Sequence, residues 1–259
     1  MYSGLYTAVS GSLAQEKRLT LLTNNLANAT TVGFKFDEAI FHAVNVPTMV
    51  GPLPTVDGTN FVVAPIDPLM ARYTPQHPDV NVQTDFSQGP LRETGNPLDV
   101  ALEGEGFFVV EMPNGEAAYT RQGSFTINGN GFLVTQSGLR VQGQQGPIAV
   151  SGGQISIDAS GQITVDGALR DRLKLVQFAA PMPLEKMGDA LFRNQTPDVT
   201  PSDAADLNVH QGTVEGSNSP LIRLLGAIIQ TSRAYEAYQR TIQIFDTTAG
   251  RAVNDIAGT

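Results

Sequence analysis

The stretch SPLIRLLGAIIQTSRAYEAYQRTIQIFDTTAGRAVNDI, residues 219–256, decides the fold because it predicts one unusually long helix. Ser219 suits the N-cap and Pro220 the first helical position. Apolar side chains then recur at alternating spacings of three and four, which is a heptad pattern. The heptad positions are Leu221, Leu224, Ile228, Thr231, Tyr235, Tyr238, Ile242, Phe245, Ala249, Ala252 and Ile256. Such a helix is about 55 Å long, and its pattern favours a coiled-coil interface.

A second amphipathic helix is predicted at the other end of the chain, from Tyr2 to Leu26. It should end where residues 28–33 supply weak helix formers and Gly33. The long helix outruns the body of a small β domain, so we expect its apolar face to meet the N-terminal helix or other subunits, rather than only its own domain. The predicted assembly interface comprises Leu5, Val9, Leu13, Leu19, Leu22, Leu26, Leu221, Leu224, Ile228, Tyr235, Tyr238, Ile242, Phe245 and Ile256.

Between the two helices the apolar period changes to two, and turn residues recur at short intervals. The strongest hairpin signals are the turns at Asn114–Gly115, Asn128–Gly131 and Asp158–Gly161. The predicted fold class is α+β, with long terminal helices that pair as a coiled coil and a hairpin-rich β domain inserted between them. The predicted divisions are an assembly helix over 1–33, an extended connector with some β structure over 34–87, a β domain over 88–192, a connector over 193–218 and an assembly helix over 219–259.

Composition excludes several classes of function. The chain has no cysteine, so disulfides, thiolate metal sites and thiol nucleophiles are excluded. Its 16 basic and 25 acidic residues give a net charge of -9, which disfavours nucleic acid and anionic lipid. No apolar run reaches the roughly 18 residues of a membrane span, and no basic n-region precedes an apolar segment at the N-terminus. We therefore expect no direct membrane insertion and, if the protein leaves the cytoplasm, export without a cleaved signal peptide.

The chemistry-bearing residues form no local constellation. His42, His77 and His210 are isolated from one another, and no helical or turn spacing joins them to a second metal ligand. The segment Asp158–Asp166 superficially resembles a calcium loop but lacks the EF-hand ligand ladder, so a hairpin turn explains it better. Neither a nucleophile elbow nor a phosphate-binding glycine loop occurs. We expect no catalytic residues, no cofactor, no metal and no small-molecule substrate.

The segment NNLANATTVGFK, residues 24–35, resembles the signature of flagellar basal-body rod and hook proteins. The signature residues are Asn24, Asn25, Leu26, Ala27, Asn28, Gly33 and Phe34. The resemblance continues through residues 95–110, 119–125 and 214–220, so that it covers nearly the whole chain. Within this family, segments such as 172–176, 190–192 and 233–240 look most like the proximal-rod members. The distal-rod members come second, because a glycine-rich insertion typical of them has no counterpart between Val50 and Thr74.

The resemblance implies a structural subunit of the bacterial flagellar rod that assembles through its terminal helices and transmits torque. It implies location in the periplasmic rod of the basal body after passage through the flagellar type III export apparatus. The implied partners are copies of the chain itself and neighbouring rod subunits.

Two other classes of function remain open from the residues alone. An extracellular β-domain binding module with a helical oligomerisation stalk would need exposed aromatic side chains, for which Tyr73, Phe86 and Tyr119 are the candidates. An enzyme would need an acid, base or metal cluster that only folding brings together.

Overall fold

The computed structural model describes residues 2–43, 78–150, 152–180, 182–196, 198–204 and 207–257. Within these residues two helices flank a β-rich middle: α1 (Tyr2–Ala27) and α2 (Leu221–Ala257). The strands are β1 (Asp37–Ala43), β2 (Pro78–Thr84), β3 (Leu91–Glu93), β4 (Val100–Glu103), β5 (Phe107–Glu111), β6 (Ala117–Thr120), β7 (Phe125–Ile127), β8 (Leu133–Thr135), β9 (Arg140–Val141), β10 (Ile155–Ile157), β11 (Gln162–Val165), β12 (Ala168–Arg172), β13 (Leu175–Gln177), β14 (Leu184–Gly188), β15 (Leu191–Asn194), β16 (Ser202–Asp203), β17 (Asn208–Gln211) and β18 (Thr213–Glu215).

The chain divides into two compact units, each made of segments that are discontinuous in sequence. Unit 1 comprises Met1–Asn24, Asp37–Gln83 and Ile222–Thr259, and so holds most of both helices. Unit 2 comprises Asn25–Phe36 and Thr84–Leu221, and so holds nearly all of the β structure. The predicted divisions at residues 33, 87, 192 and 218 remain a prediction, and most of the 34–87 connector lies outside the described residues.

A nine-stranded sheet in unit 2 is built around β5. The strand order along the sheet is β14, β15, β6, β5, β9, β8, β7, and β13 adds to β5 while β16 pairs with β13. Because successive side chains of a strand point to opposite faces, Phe108 and Val110 enter one apolar core while Phe107 and Val109 enter another. Burial on both faces explains why this strand reads as an unbroken apolar run.

The hairpin predictions are confirmed. β5 and β6 pair around the Asn114–Gly115 turn, β7 and β8 around Asn128–Gly131, and β10 and β11 around Asp158–Gly161. In the third turn, one Asp158 carboxylate oxygen accepts hydrogen bonds from the backbone N–H groups of Ser160 and Gln162, at 2.9 Å each. The Asp158 side chain therefore organises the hairpin turn, and this role accounts for an aspartate at this position without a calcium ion.

Two short strands are completed only by residues far along the chain. β4 pairs with β17, and β3 pairs with β18, both in antiparallel register. The paired residues are more than one hundred positions apart in sequence. The last two strands before α2 therefore supply the partners of β4 and β3.

The predicted pairing of the terminal helices as a coiled coil is wrong, although α+β describes the architecture. The structure has two helices flanking a large β-rich body, and the predicted leucine stripe of α1 does not form one face. Leu13 is 52% exposed whereas Leu22 is 8% exposed. The reason is geometric: a spacing of four repeated from Leu5 to Val9 to Leu13 turns about 40° per step around a helix of 3.6 residues per turn, which leaves Leu13 about 180° from Leu22.

Within the described part of the chain, neither helix combines the length and the apolar character needed to cross a membrane.

Candidate assembly surfaces and a buried ionic cluster

The heptad residues of α2 are mostly shielded inside unit 1. Leu224 and Thr231 are buried. Five more are half-buried: Ile228, Tyr235, Tyr238, Ile242 and Phe245. Leu221 is exposed, and the side chain of Ile256 lies outside the described residues. This face of α2 is therefore largely covered by the chain itself.

A different face at the start of α2 presents unshielded apolar side chains. Ile222, Leu225 and Ile229 are spaced by three and four and are all exposed, with Ile222 at 88%. At about 100° per residue they share one sector of the helix, away from the buried Leu224. We call these three residues the α2 patch. The α2 patch is thus a group of large aliphatic side chains that lie exposed side by side, and this makes it a candidate assembly surface.

The first half of α1 presents a matching surface, which we call the α1 patch. Tyr6, Val9 and Leu13 are exposed and fall within about 60° of one another around the helix. Of the other predicted interface residues in α1, Leu22 is buried, and Leu5, Leu19 and Leu26 are half-buried. Val9 and Leu13 thus point to a different side of α1 from the leucines nearer its end.

Contacts between the two helices within unit 1 use small residues of α1. A side chain carbon added at Gly4 would lie 2.9 Å from the Phe245 ring, and one added at Gly11 would lie 2.5 Å from the Tyr238 ring. The Gln239 side chain amide donates a hydrogen bond to the Ser12 hydroxyl at 3.2 Å. Glycine and serine let these aromatic rings approach the α1 backbone closely, which apolar periodicity did not reveal.

The signature segment after α1 packs into unit 2. Asn25 is buried, and the Asn28 side chain accepts a hydrogen bond from the Thr31 hydroxyl at 3.2 Å, while Asn24 and Ala27 are exposed. Gly33 has φ of +69°, and a side chain carbon there would lie 2.4 Å from the backbone nitrogen of Gln122. Its own N–H donates to the carbonyl of Glu215 at 2.8 Å. Only glycine satisfies both the backbone angle and this close approach.

Phe34, the last signature residue, is buried beneath a lysine. The Lys186 ammonium lies 4.1 Å from the centroid of the Phe34 ring, a cation–π contact. The same ammonium donates a hydrogen bond to the carbonyl of Lys35. Lys186 on β14 therefore holds the signature backbone against unit 2.

Directly after Phe34 lies a cluster of three buried charges. Lys35, Glu215 and Arg121 expose 1%, 0% and 3% of their surface. The Lys35 ammonium is 2.7 Å from one carboxylate oxygen of Glu215, and the Arg121 guanidinium is 3.2 Å from the other. The first oxygen also accepts the Gly89 N–H at 2.9 Å. One carboxylate thus joins four chain segments that are distant in sequence.

The electrostatics of the cluster are unbalanced, because two cations share one anion. Burial lowers the pKa of Lys35 below that of a free lysine, although Glu215 opposes this, and the positive charge of Arg121 lowers it further. Burial likewise lowers the pKa of Arg121, against the attraction of Glu215. The Arg121 guanidinium also donates to the carbonyls of Leu102 and Gly104, whereas its buried Nε has no hydrogen-bond partner. Glu215 therefore provides most of the charge compensation of both cations, with smaller contributions from Asp85 at Lys35 and from Glu105 at Arg121.

Asn218 makes a second connection just before α2. Its side chain oxygen accepts the Phe36 N–H at 2.7 Å, and its amide donates to the carbonyls of Asp85 and Ser87 at 2.9 and 3.1 Å. The Lys35 ammonium also donates to the Ser87 carbonyl at 2.7 Å. The segments that follow α1 and precede α2 in sequence are thereby tied to each other inside unit 2.

Sequence reasoning singled out none of the residues that make these connections as functional. Lys35, Arg121, Glu215 and Asn218 all lie within segments that carry the family resemblance. Membership in those segments was the one available signal, since the four residues span more than 180 positions and no spacing predicts that they meet. We call Lys35, Arg121 and Glu215 the ionic cluster.

The remaining candidates for chemistry or binding are explained structurally where they are described. Phe86 packs edge-on against Phe107 and Phe192, at 5.7 and 5.2 Å between ring centroids, and Tyr119 packs 4.9 Å from Phe178. These rings belong to the core and form no exposed platform; Tyr73 and His77 lie outside the described residues. His210 contacts the Glu103 carboxylate at 2.8 Å on the surface. Among the described residues, no group of three metal-ligating side chains occurs.

Two family models match the regions that contain these features. The model for the flagella basal body rod protein matches residues 5–35, which cover most of α1 and the signature. The model for the flagellar hook protein FlgE/F/G D1 domain matches residues 101–165. The rod protein FlgF of Caulobacter vibrioides is 34% identical over 96% of this chain and 94% of its own length. The chain belongs to the flagellar basal-body rod protein family.

Both FlgF and FlgG rod proteins are among the relatives of this rod-family chain. FlgG of Buchnera aphidicola subsp. Baizongia pistaciae is 32% identical over 95% of this chain and 96% of the relative. FlgF of Rhizobium meliloti is 29% identical over the full chain and 99% of the relative. These identities overlap, so they establish a structural subunit of the basal-body rod without separating the two subtypes.

Proposed function

We propose that this rod-family chain joins the rod by burying its α1 and α2 patches against neighbouring subunits. The observation that carries the proposal is the exposure of Ile222, Leu225 and Ile229 on one sector of α2, beside heptad residues that the chain already covers. The α1 patch offers a second apolar surface of similar size. The neighbours are copies of the chain and other rod subunits, as expected for a family whose members build a rod.

Burial of these side chains provides the driving force for assembly. A large aliphatic side chain that moves from water into an interface contributes about 1.5 to 3 kcal/mol. The two patches together hold five aliphatic side chains and Tyr6, and their burial offsets the entropic cost of fixing a subunit, which is about 4 to 15 kcal/mol. The neighbouring turns of α2 carry charged residues of both signs, such as Arg233 and Glu236. Within the interface these charges fix how the subunits align and contribute little to the affinity.

We propose that the subunit passes through the flagellar type III export apparatus and acts in the periplasmic part of the rod, where it transmits torque between its neighbours. Its work is non-covalent, with no catalytic step and no cofactor. We also propose the proximal-rod subtype, supported by the resemblance of residues 172–176, 190–192 and 233–240 to proximal members.

A gene-replacement experiment tests this function. The chain is deleted in its own host, and basal bodies are purified from the deletion strain, from the parent and from a strain complemented with the full chain. We expect the deletion to abolish motility and rod completion, and the complemented strain to contain the chain in its basal bodies. A basal body that grows a full rod without the chain would contradict the proposal. A rod that stops above its proximal part would support the distal subtype instead.

A further inference from the structure

The three residues of the ionic cluster become available in a fixed order when the chain is synthesised or transported from its N-terminus. A chain made or moved from its N-terminus presents Lys35 first, Arg121 second and Glu215 last. Until Glu215 arrives, two cations that are almost completely buried in the finished unit lack their shared anion. Burying an ion without its partner is strongly unfavourable, so those positions stay hydrated and the surrounding structure stays open.

A second observation points in the same direction. β3 and β4 find their partner strands in β18 and β17, which lie immediately before α2. Gly33 also needs the Glu215 carbonyl to accept its N–H, and Phe36 needs the side chain of Asn218. The N–H groups of Gly33 and Phe36 therefore lack these acceptors until residues 215–218 are present.

We infer that Glu215 is a closure residue: unit 2 completes its fold only when the Glu215 carboxylate docks between Lys35 and Arg121. The unit therefore stays open until residues 208–218 are available. The central hairpins do not depend on it, since β5 pairs with β6 and β7 with β8 locally. The same docking step joins residues 33–36 to residues 215–218. If the chain is exported as proposed above, late closure keeps it threadable through a narrow channel, but the closure inference itself does not rest on that function.

Equilibrium unfolding of four full-length variants tests the energetic half of the inference. Glu215→Gln leaves two buried cations without a carboxylate, so we expect the folding equilibrium constant of unit 2 to fall on the order of 100- to 1,000-fold. Lys35→Met leaves the Arg121–Glu215 pair, which has no net charge, so we expect a loss below about tenfold. Arg121→Met should fall between them because the carbonyls of Leu102 and Gly104 also lose a donor. Glu215→Asp keeps the charge and should recover part of the loss.

Pulsed hydrogen exchange during refolding of the full chain tests the order of events. We expect β5 and β6 to become protected first, and β3, β4, β17 and β18 to become protected together in a later step. Glu215→Asp, or Glu215→Gln if it folds, should slow that later step at least about tenfold and leave the β5–β6 step unchanged. The inference is overturned if all strands become protected in one step, if both steps slow equally, or if Lys35→Met is as damaging as Glu215→Gln. These readouts come from purified protein and do not depend on rod incorporation.

Discussion

The two units of this chain solve opposite physical problems. Unit 1 is built from helices whose local sequence predicts them well, yet it leaves Tyr6, Leu13, Ile222 and other large apolar residues exposed. Unit 2 is built from short strands and buries most of its large apolar residues in two cores, with Leu169 the most exposed exception at 64%. It also pairs its buried charges. The difference separates unit 2, which covers most of its apolar residues with its own chain, from unit 1, whose exposed patches we propose are covered by neighbouring subunits.

We therefore expect damage to unit 2 to destabilise the monomer, whereas damage to the patches of unit 1 should spare the monomer and prevent assembly.

The largest effect should come from Gly33→Ala. The new side chain carbon would meet the backbone of Arg121 and Gln122 at a φ of +69°, so both strain and a steric clash oppose it. We expect unit 2 to lose roughly 3 to 5 kcal/mol of unfolding free energy. Chemical denaturation monitored by circular dichroism measures this.

Gly95→Ala is the matched control, because Gly95 has φ of +75° but nothing within 4 Å of an added carbon. Its loss should be about 1 to 2 kcal/mol, the conformational term alone. Equal losses for the two variants would contradict the close packing described for the signature.

A pair of substitutions on neighbouring positions of α2 should separate folding from assembly. Leu224→Ala removes a side chain that is 1% exposed and should cost about 2 to 4 kcal/mol in unit 1. Ile222→Ala removes one that is 88% exposed and should change monomer stability by less than about 0.5 kcal/mol. Thermal unfolding of both variants under monomeric conditions provides the comparison, and a large loss from Ile222→Ala would contradict a free α2 patch.

The smallest effect should be the pH dependence contributed by Lys35. Its pKa is lowered in the folded state, mainly by burial, so between that lowered value and about 10.5 the unfolded chain binds more protons. Stability contributed by Lys35 therefore rises with pH across this window. We expect the difference in unfolding free energy between the parent and Lys35→Met to shift in favour of the parent as pH increases towards 10.5.

Burial raises the pKa of Tyr119 and so opposes this trend at high pH, but the tyrosine is present in both proteins and cancels in the difference. A difference that stays flat or moves the other way would show that the charged form of Lys35 is not penalised.

The sequence predicted the parts of this molecule that local interactions specify. α1, α2 and the three hairpins follow from turn and periodic signals that lie within a few residues of one another. The predicted N-cap is not formed, because the buried Ser219 hydroxyl makes no hydrogen bond. The predicted stripe on α1 is wrong, because repeated spacings of four rotate about 40° per step around the helix and carry Leu13 away from Leu22. The helix contacts at Gly4 and Gly11 could not be predicted from the sequence, because small residues do not contribute to an apolar periodicity.

The ionic cluster could not be predicted from patterns. A lone Lys35, Arg121 or Glu215 looks like any exposed charged residue, and charged side chains are rarely buried unless they are paired. Their pairing depends on strands β17 and β18 returning to β4 and β3, a long-range topology that no window of sequence encodes. The exposed patches could not be predicted either, because the exposure of a side chain depends on which other residues of the chain pack over it.

The most direct test of the account is incorporation of an α2-patch variant into basal bodies. Ile222, Leu225 and Ile229 are replaced together by serine, and the control replaces the exposed polar residues Gln230 and Gln243 of the same helix by serine. The account predicts that the patch variant folds with an intact unit 2 yet is absent from purified basal bodies and leaves cells non-motile, while the control is incorporated normally. A folded patch variant that enters the rod and restores motility as well as the parent chain would contradict it.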